Sequence, residues 1–203
     1  MRDFQTFHVG AQSMCLAALT IAAEGGKADI AKPLKGLGSG VFQIALPFRG
    51  DAFRVIYGVQ IAEEIWVVRA FQKKSVRGGE TSSARNRRGQ AAPEALEGGV
   101  TMKSEKLDLV RGSGNAFRDL GIENADVLQL KAILAGEIIK ALDREGWTVR
   151  AAQVRTGMAA ADFSRIRNAD LGRFTVDRLM TVISRLGSRV DVTVKVRRPR
   201  AAV

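Results

Sequence analysis

The sequence predicts two differently built halves: an α+β N-terminal half of helices plus a small antiparallel sheet, and a mainly α half that closes on a β-strand. Three observations predict this. Residues 41–71 carry three apolar, β-branched runs broken by short turns, whereas residues 125–186 repeat apolar side chains near helical spacing. Between them, residues 76–101 hold few large apolar side chains. At roughly 150 residues per domain, a chain of 203 is long for one small domain and comfortable for two.

Along residues 2–24, Phe4, Phe7, Met14, Leu16, Leu19 and Ile21 mark one or two helices that Gly25 and Gly26 close. Residues 31–40, rich in Lys, Pro and Gly, read as a loop. Residues 41–46, 53–59 and 65–71 are strand candidates, and residues 48–51 and 62–64 are turns short enough for an antiparallel meander.

The stretches KPLKGLGSGVFQI, GDAFRVIY and VVRAFQKKS resemble the RelE/HigB toxin superfamily, specifically its phage Gp49-like branch, over residues 2–75. The resemblance implies an endonuclease that cuts messenger RNA on the ribosome. Attack of a 2′-hydroxyl on its neighbouring phosphate needs a proton acceptor, a donor for the leaving oxygen and cations around the developing charge. Arg54 and Tyr57, with Lys73 and Lys74, match the family's basic and phenolic positions. The resemblance gives Arg54 and a lysine to the phosphate and a proton transfer to Tyr57. Spacing alone favours a blander account, with Tyr57 packed in the sheet and the lysines solvated at a strand end. Members of this branch usually carry a further strand before the helices, and after the last strand a Thr-Pro and a helix rich in Glu, Arg and Leu. Here the chain instead reads VRGGETSSARNRRGQAAPEALEGGVT.

That composition cannot bury enough surface to fold alone, so residues 76–115 are expected to be a flexible linker between a toxin-like domain at 1–75 and a second domain at 116–203. The abrupt change suggests, as a hypothesis, a frame shift near Ser75 that joined two genes; two intact frames at the native locus would remove it. From Met102, a former start codon on this hypothesis, the chain resembles the N-terminal part of HigA-like antitoxins. GSGN, residues 112–115, is the expected hinge. Residues 125–145 form a helix through Leu128, Leu130, Ile133, Leu134, Ile138 and Leu142, which Gly146 stops and Trp147 plugs at its junction.

Residues 148–168 read as a helix-turn-helix. Thr148 can cap a first helix with a small apolar face of Ala151, Ala152 and Val154, and Gly157 supplies the left-handed turn. In the second helix Met158, Phe163 and Ile166 should point inward. Ala160, Ala161, Asp162, Ser164, Arg165 and Arg167 should face outward, a basic surface that suits a major groove. Thr148, Gly157, Phe163, Ser164 and Arg165 stand at the spacings of the XRE family of repressors, which this stretch resembles. Gln153 departs from the family's usual Ala, and Arg167 from a frequent acid. A structural helical hairpin with a solvated charged face is the bland alternative. Residues 175–186 give one more amphipathic helix, through Val176, Leu179, Met180 and Ile183, with Thr175 as cap and Gly187 as stop. Residues 190–196 then alternate valine with polar side chains, a half-buried strand that needs a partner: its twofold mate in a homodimer, or the N-terminal sheet.

The net charge of +11 points to polyanionic partners. Lys and Arg less Asp and Glu give 9 − 6 = +3 for residues 1–75, 4 − 3 = +1 for 76–101 and 19 − 12 = +7 for 102–203, so most of the excess lies with the helix-turn-helix. Cys15 is the single cysteine and His8 the single histidine, which excludes an internal disulfide and leaves no zinc site; no cofactor is expected. No apolar run approaches the ~18 residues of a membrane span, and no signal pattern opens the chain, so a cytoplasmic location is expected.

The reading that follows is a transcriptional regulator of a type II toxin–antitoxin module, binding its own promoter, fused to an inactive interferase-like remnant. Ala160, Ala161 and Arg165 are its candidates for base edges, and Thr148, Arg150, Ser164, Arg167 and Asn168 for phosphates. A HigB-like toxin is a further candidate partner. Two alternatives stand beside it: a ribosome-dependent endonuclease held inactive in cis by its antitoxin, with mRNA and ribosome as partners, and an N-terminal half that merely occupies the antitoxin's toxin-docking surface.

Overall fold

The computed structural model describes residues 2–34, 36, 40–59, 65–73 and 112–193. In the first half, α1 (Arg2–Gln5) and α2 (Val9–Ala23) precede β1 (Ala31–Pro33), β2 (Val41–Phe48), β3 (Asp51–Val59) and β4 (Ile65–Lys73). The strands pair antiparallel in the order β1-β2-β3-β4. The loop expected at residues 31–40 is therefore partly a strand: Ala31 pairs with Ile44 and Pro33 with Phe42. Proline is tolerated because β1 is an edge strand, with a side on which no N–H is needed.

The meander follows from alternation and one tight turn. Arg49 and Gly50, at φ 51° and 89°, form a two-residue loop of the left-handed kind that matches strand twist. One sheet face, carrying Ile44, Leu46, Phe53, Val55 and Tyr57, is buried beneath the helices. Phe7 closes on Phe53 with ring centroids 4.8 Å apart. Each such side chain contributes about 1.5–3 kcal/mol when fully buried.

The second half contains α3 (Ala116–Asp119), α4 (Ala125–Arg144), α5 (Val149–Thr156), α6 (Ala160–Arg167) and α7 (Val176–Arg185). The hinge expected at GSGN is instead bonded into this half. Ser113 N–H donates to Asp119 Oδ2 at 2.9 Å, and Asn115 Oδ1 caps α3 by accepting from Arg118 N–H at 3.1 Å. Asn115 is buried, and its side chain offsets lost hydration through this bond and by donating to Asp126 Oδ1 at 3.0 Å.

The two halves share one core. Helix α2 is buried almost all round, as expected of a helix apolar on every side: the sheet covers one flank and α4 the other. On α4, Gln129, Gly136 and Lys140 fall on one stripe that meets α2. Thr20 Oγ1 donates to Gln129 Oε1 at 3.3 Å, and Lys140 Nζ donates to the Glu24 carbonyl at 2.8 Å, satisfying an acceptor at the helix end. Between these bonds Gly136 lies against Ile21, where a Cβ would meet the Ile21 Cα at 3.7 Å. Behind α4, its Leu134, Ile138 and Leu142 belong to the same buried cluster as Phe163, Ile166, Leu179 and Val182 of the last helices. The layers run sheet, α2, α4, then the small helices.

The strand expected at residues 190–196 does not form in its described part. Residues 190–193 adopt no strand, and Val192 is 62% exposed. An alternating segment has no ladder to join without a neighbour, and residues 194–196 lie outside the described residues. Leu130, expected in the core, is 41% exposed on α4. No helix among the described residues is long and apolar enough to cross a membrane.

Candidate nucleic-acid interface

Two short helices, α5 and α6, meet at Gly157, whose φ of 71° is the left-handed conformation a residue without a Cβ adopts at little cost. Each end of the pair is tied. Thr148 Oγ1 accepts from Ala151 N–H at 3.2 Å and so caps α5. At the other end of α5, Arg185 Nη1 of α7 donates to the Thr156 carbonyl at 3.1 Å. The start of α6 is tied differently. Its N-cap, Ala159, has no side-chain acceptor, and Gln153 Oε1 reaches across the turn to accept from Ala160 N–H at 3.2 Å.

Phe163 and Ile166 are fully buried and Met158 is half-buried, as expected for the inner face of α6. On α5, Ala152 and Thr156 are the buried residues, one turn apart. Val154, expected beside Ala152, is instead 88% exposed, because it lies two positions on, toward the opposite side of the helix. Asp162, expected outside, is buried: α7 covers it, and Arg178 Nη2 donates to its Oδ2 at 2.6 Å. A buried carboxylate requires such a partner.

The outward face of α6 carries Ala160, Ala161 and Ser164, with Arg165 beside them. Arg165 lies 3.7 Å from Asp162 and 3.8 Å from Asp170, beyond hydrogen-bond length, so both carboxylates attract its guanidinium without fixing it. Arg150 is exposed on α5. Arg167 does not join this face. Its side chain turns back to Asp143 Oδ1, at 2.5 Å, and to Asp29 Oδ1, at 3.5 Å, and is 17% exposed. Asn168 is also occupied, donating to the Ser164 carbonyl at 2.7 Å. Thr148, Arg150, Ala160, Ala161, Ser164 and Arg165 are thus brought onto one motif, whereas the Arg167 guanidinium is turned to Asp143 and Asp29 and the Asn168 amide bonds back within α6.

Of the RNA-directed residues, Arg54 and Tyr57 are not brought together. Arg54 lies on the sheet face away from α2, in register with Phe71 and beside Arg69, whose guanidinium sits 5.5 Å over the Phe71 ring. Tyr57 is on the other face. Odd spacing along a strand puts side chains on opposite sides, and Tyr57 is 1% exposed, stacked on Phe42 with centroids 5.7 Å apart. Burial pushes its phenol up to about 12. Lys73 ends β4 in register with Ala52, and Lys74 lies outside the described residues. Burial likewise raises Cys15 to about 12, as expected of an inert thiol. Among the described residues, no group of three or more His, Cys, Asp or Glu could hold a metal.

Comparison with known families matches each half separately. Residues 2–88 match the family described as phage derived protein Gp49-like, and residues 116–195 match a family described as a helix-turn-helix domain. The chain therefore carries a Gp49-like domain followed by a helix-turn-helix domain. That combination is consistent with a fused toxin–antitoxin protein. The first match continues to residue 88, past the break in family pattern expected at Ser75. No curated protein and no solved structure matches the chain.

Proposed function

We propose that this chain is an antitoxin-type transcriptional regulator that binds duplex DNA through α5 and α6, with its Gp49-like half docked in cis as a catalytically idle support. The observation that carries the reading is the capped α5–Gly157–α6 unit, presented with Arg150 and Arg165 on a strongly basic half. In this reading α6 enters the major groove. Arg165 reads a base edge, Ala160 and Ala161 meet thymine methyl groups, and Thr148, Arg150 and Ser164 hold phosphates. Its operator is the DNA upstream of its own gene, bound by a twofold pair of chains in the cytoplasm; a monomeric mass at micromolar concentration would count against the pair.

The test is fluorescence anisotropy of the full chain on that upstream duplex and on a scrambled one, across a salt series. Tight binding that scrambled DNA cannot compete supports a specific regulator. Equal and steeply salt-dependent binding to both reduces the charge to general polyanion affinity and removes the reading.

A second reading keeps endoribonuclease activity in the Gp49-like half, and one observation favours it. The helix-turn-helix half docks on α2, so among the described residues nothing from that half covers the sheet face bearing Arg54 and Arg69. Inhibition by occlusion is correspondingly weakened, and the burial of Tyr57 on the far face argues against proton transfer there. Ribosome-dependent cleavage of messenger RNA by the full chain, abolished in Arg54→Ala, would establish activity; no cleavage leaves the half a docked support, which accords with the third reading of the sequence.

A further inference from the structure

We infer that Gln153 is a positioning residue for DNA recognition, holding the recognition helix from outside it by capping α6 in place of Ala159. The inference rests on reading α6 as the helix that enters the groove. A helix begins with backbone N–H groups that have no partner within it, and a side-chain oxygen at the N-cap ordinarily accepts from one. Ala159 has none. Its carbonyl takes the Asp162 N–H at 2.9 Å, and the N–H of Ala160 goes to Gln153 Oε1 at 3.2 Å.

The consequence reaches beyond helix stability. A cap at Ala159 would act within α6, whereas Gln153 belongs to α5, so this bond also sets how far the tip of α6 stands from α5. The chain between them turns at Gly157, at φ 71°, a residue with little stiffness of its own. Ala159, Ala160 and Ala161 give the tip no other side-chain hydrogen-bonding group. Gln153 is exposed, so replacing it leaves the core untouched. Its carboxamide thus controls where Ala160, Ala161 and Arg165 meet the bases.

The experiment compares four full-length chains: wild type, Gln153→Met, Gln153→Glu and the double variant Gln153→Met with Ala159→Ser. Methionine keeps length and helix propensity but removes the acceptor, glutamate keeps an acceptor at the same reach, and the hydroxyl introduced by Ala159→Ser caps the second or third N–H of α6 without tying the helix to α5. Two readouts are taken: the preference for the upstream duplex over a scrambled one, and the exchange rate of the Ala160 amide. Gln153→Met should lower the preference several-fold and speed Ala160 exchange about fivefold, the usual worth of an N-cap. Gln153→Glu should keep both near wild type, and the double variant should leave both as in Gln153→Met. Lost preference in Gln153→Glu with slow Ala160 exchange would mean that the carboxamide touches DNA itself, and restored preference in the double variant would mean that any cap on α6 suffices; either overturns the inference. Unchanged preference and exchange in Gln153→Met overturns it as well. If wild type shows no preference at all, the regulator reading and the DNA-recognition role fail together. Faster Ala160 exchange in Gln153→Met and not in Gln153→Glu would then still establish the cap.

Discussion

Asp29, in the loop after α2, donates its backbone N–H to the carbonyl of Arg167 at 2.7 Å, and Arg167 returns its guanidinium to the Asp29 carboxylate at 3.5 Å. A residue of the Gp49-like half therefore holds the C-terminal end of α6. The expectation that Arg167 contacts phosphate and its place between Asp29 and Asp143 make different predictions. With its side chain largely enclosed, Arg167→Ala should cost about 1–2 kcal/mol of folding stability in thermal or denaturant unfolding. The salt dependence of operator binding should be unchanged. A salt slope reduced by about one would return Arg167 to the phosphates.

Arg165 is predicted to behave oppositely. Its pairs with Asp162 and Asp170 are long, so Arg165→Ala should unfold at nearly the wild-type midpoint. Operator affinity should fall by ~1–3 kcal/mol, with relaxed discrimination at one base pair. Unaltered affinity in the anisotropy assay removes Arg165 as a base reader.

The shared core is testable at Gly136. A Cβ there would meet Glu24 Cβ at 3.5 Å and Ile21 Cα at 3.7 Å, ordinary contact distances. Gly136→Ala should therefore fold well and gain up to ~1 kcal/mol from helix propensity. Gly136→Leu should force α2 from α4 at a cost of about 1–3 kcal/mol. Since α2 is apolar toward both neighbours, the Leu variant should bind a hydrophobic dye as the halves part. Equal stability of the two variants would mean that α2 and α4 do not pack closely in solution.

Tyr57 is the single tyrosine, so phenolate absorbance reports on it alone. Burial raises it from 10.0 to about 12, and Cys15 from 9.0 to about 12, because both are enclosed in their neutral forms. Stability owed to these shifts is complete below the unfolded values and is lost as pH climbs toward 12. The two-unit shift of Tyr57 corresponds to roughly 2–3 kcal/mol. Alkaline titration should show phenolate appearing well above pH 10, together with unfolding. Ionisation near 10 in the folded chain would show an accessible phenol and reopen its part in RNA cleavage.

Local pattern alone determined much of this protein. The valine and aromatic alternation of β2 to β4, the helical spacing of α4 and α7, and the Thr148 and Gly157 boundaries of α5 were all legible, because each depends on residues within a few positions of one another. Features that depend on distant partners were not. Asp162 looked outward by periodicity and lies inward because Arg178, on another helix, waits for it. Arg167 looked outward by periodicity, and only folding brings Asp29 and Asp143 to its guanidinium. Gln153 stood out as a departure from the XRE pattern, but only the approach of Ala160 gives it a role. That the sheet covers one flank of α2 and α4 the other was not legible, since a helix's own sequence does not record what covers it. Hydrogen bonds and packing act over a few ångströms in space, and only the tertiary structure decides which distant residues come that close.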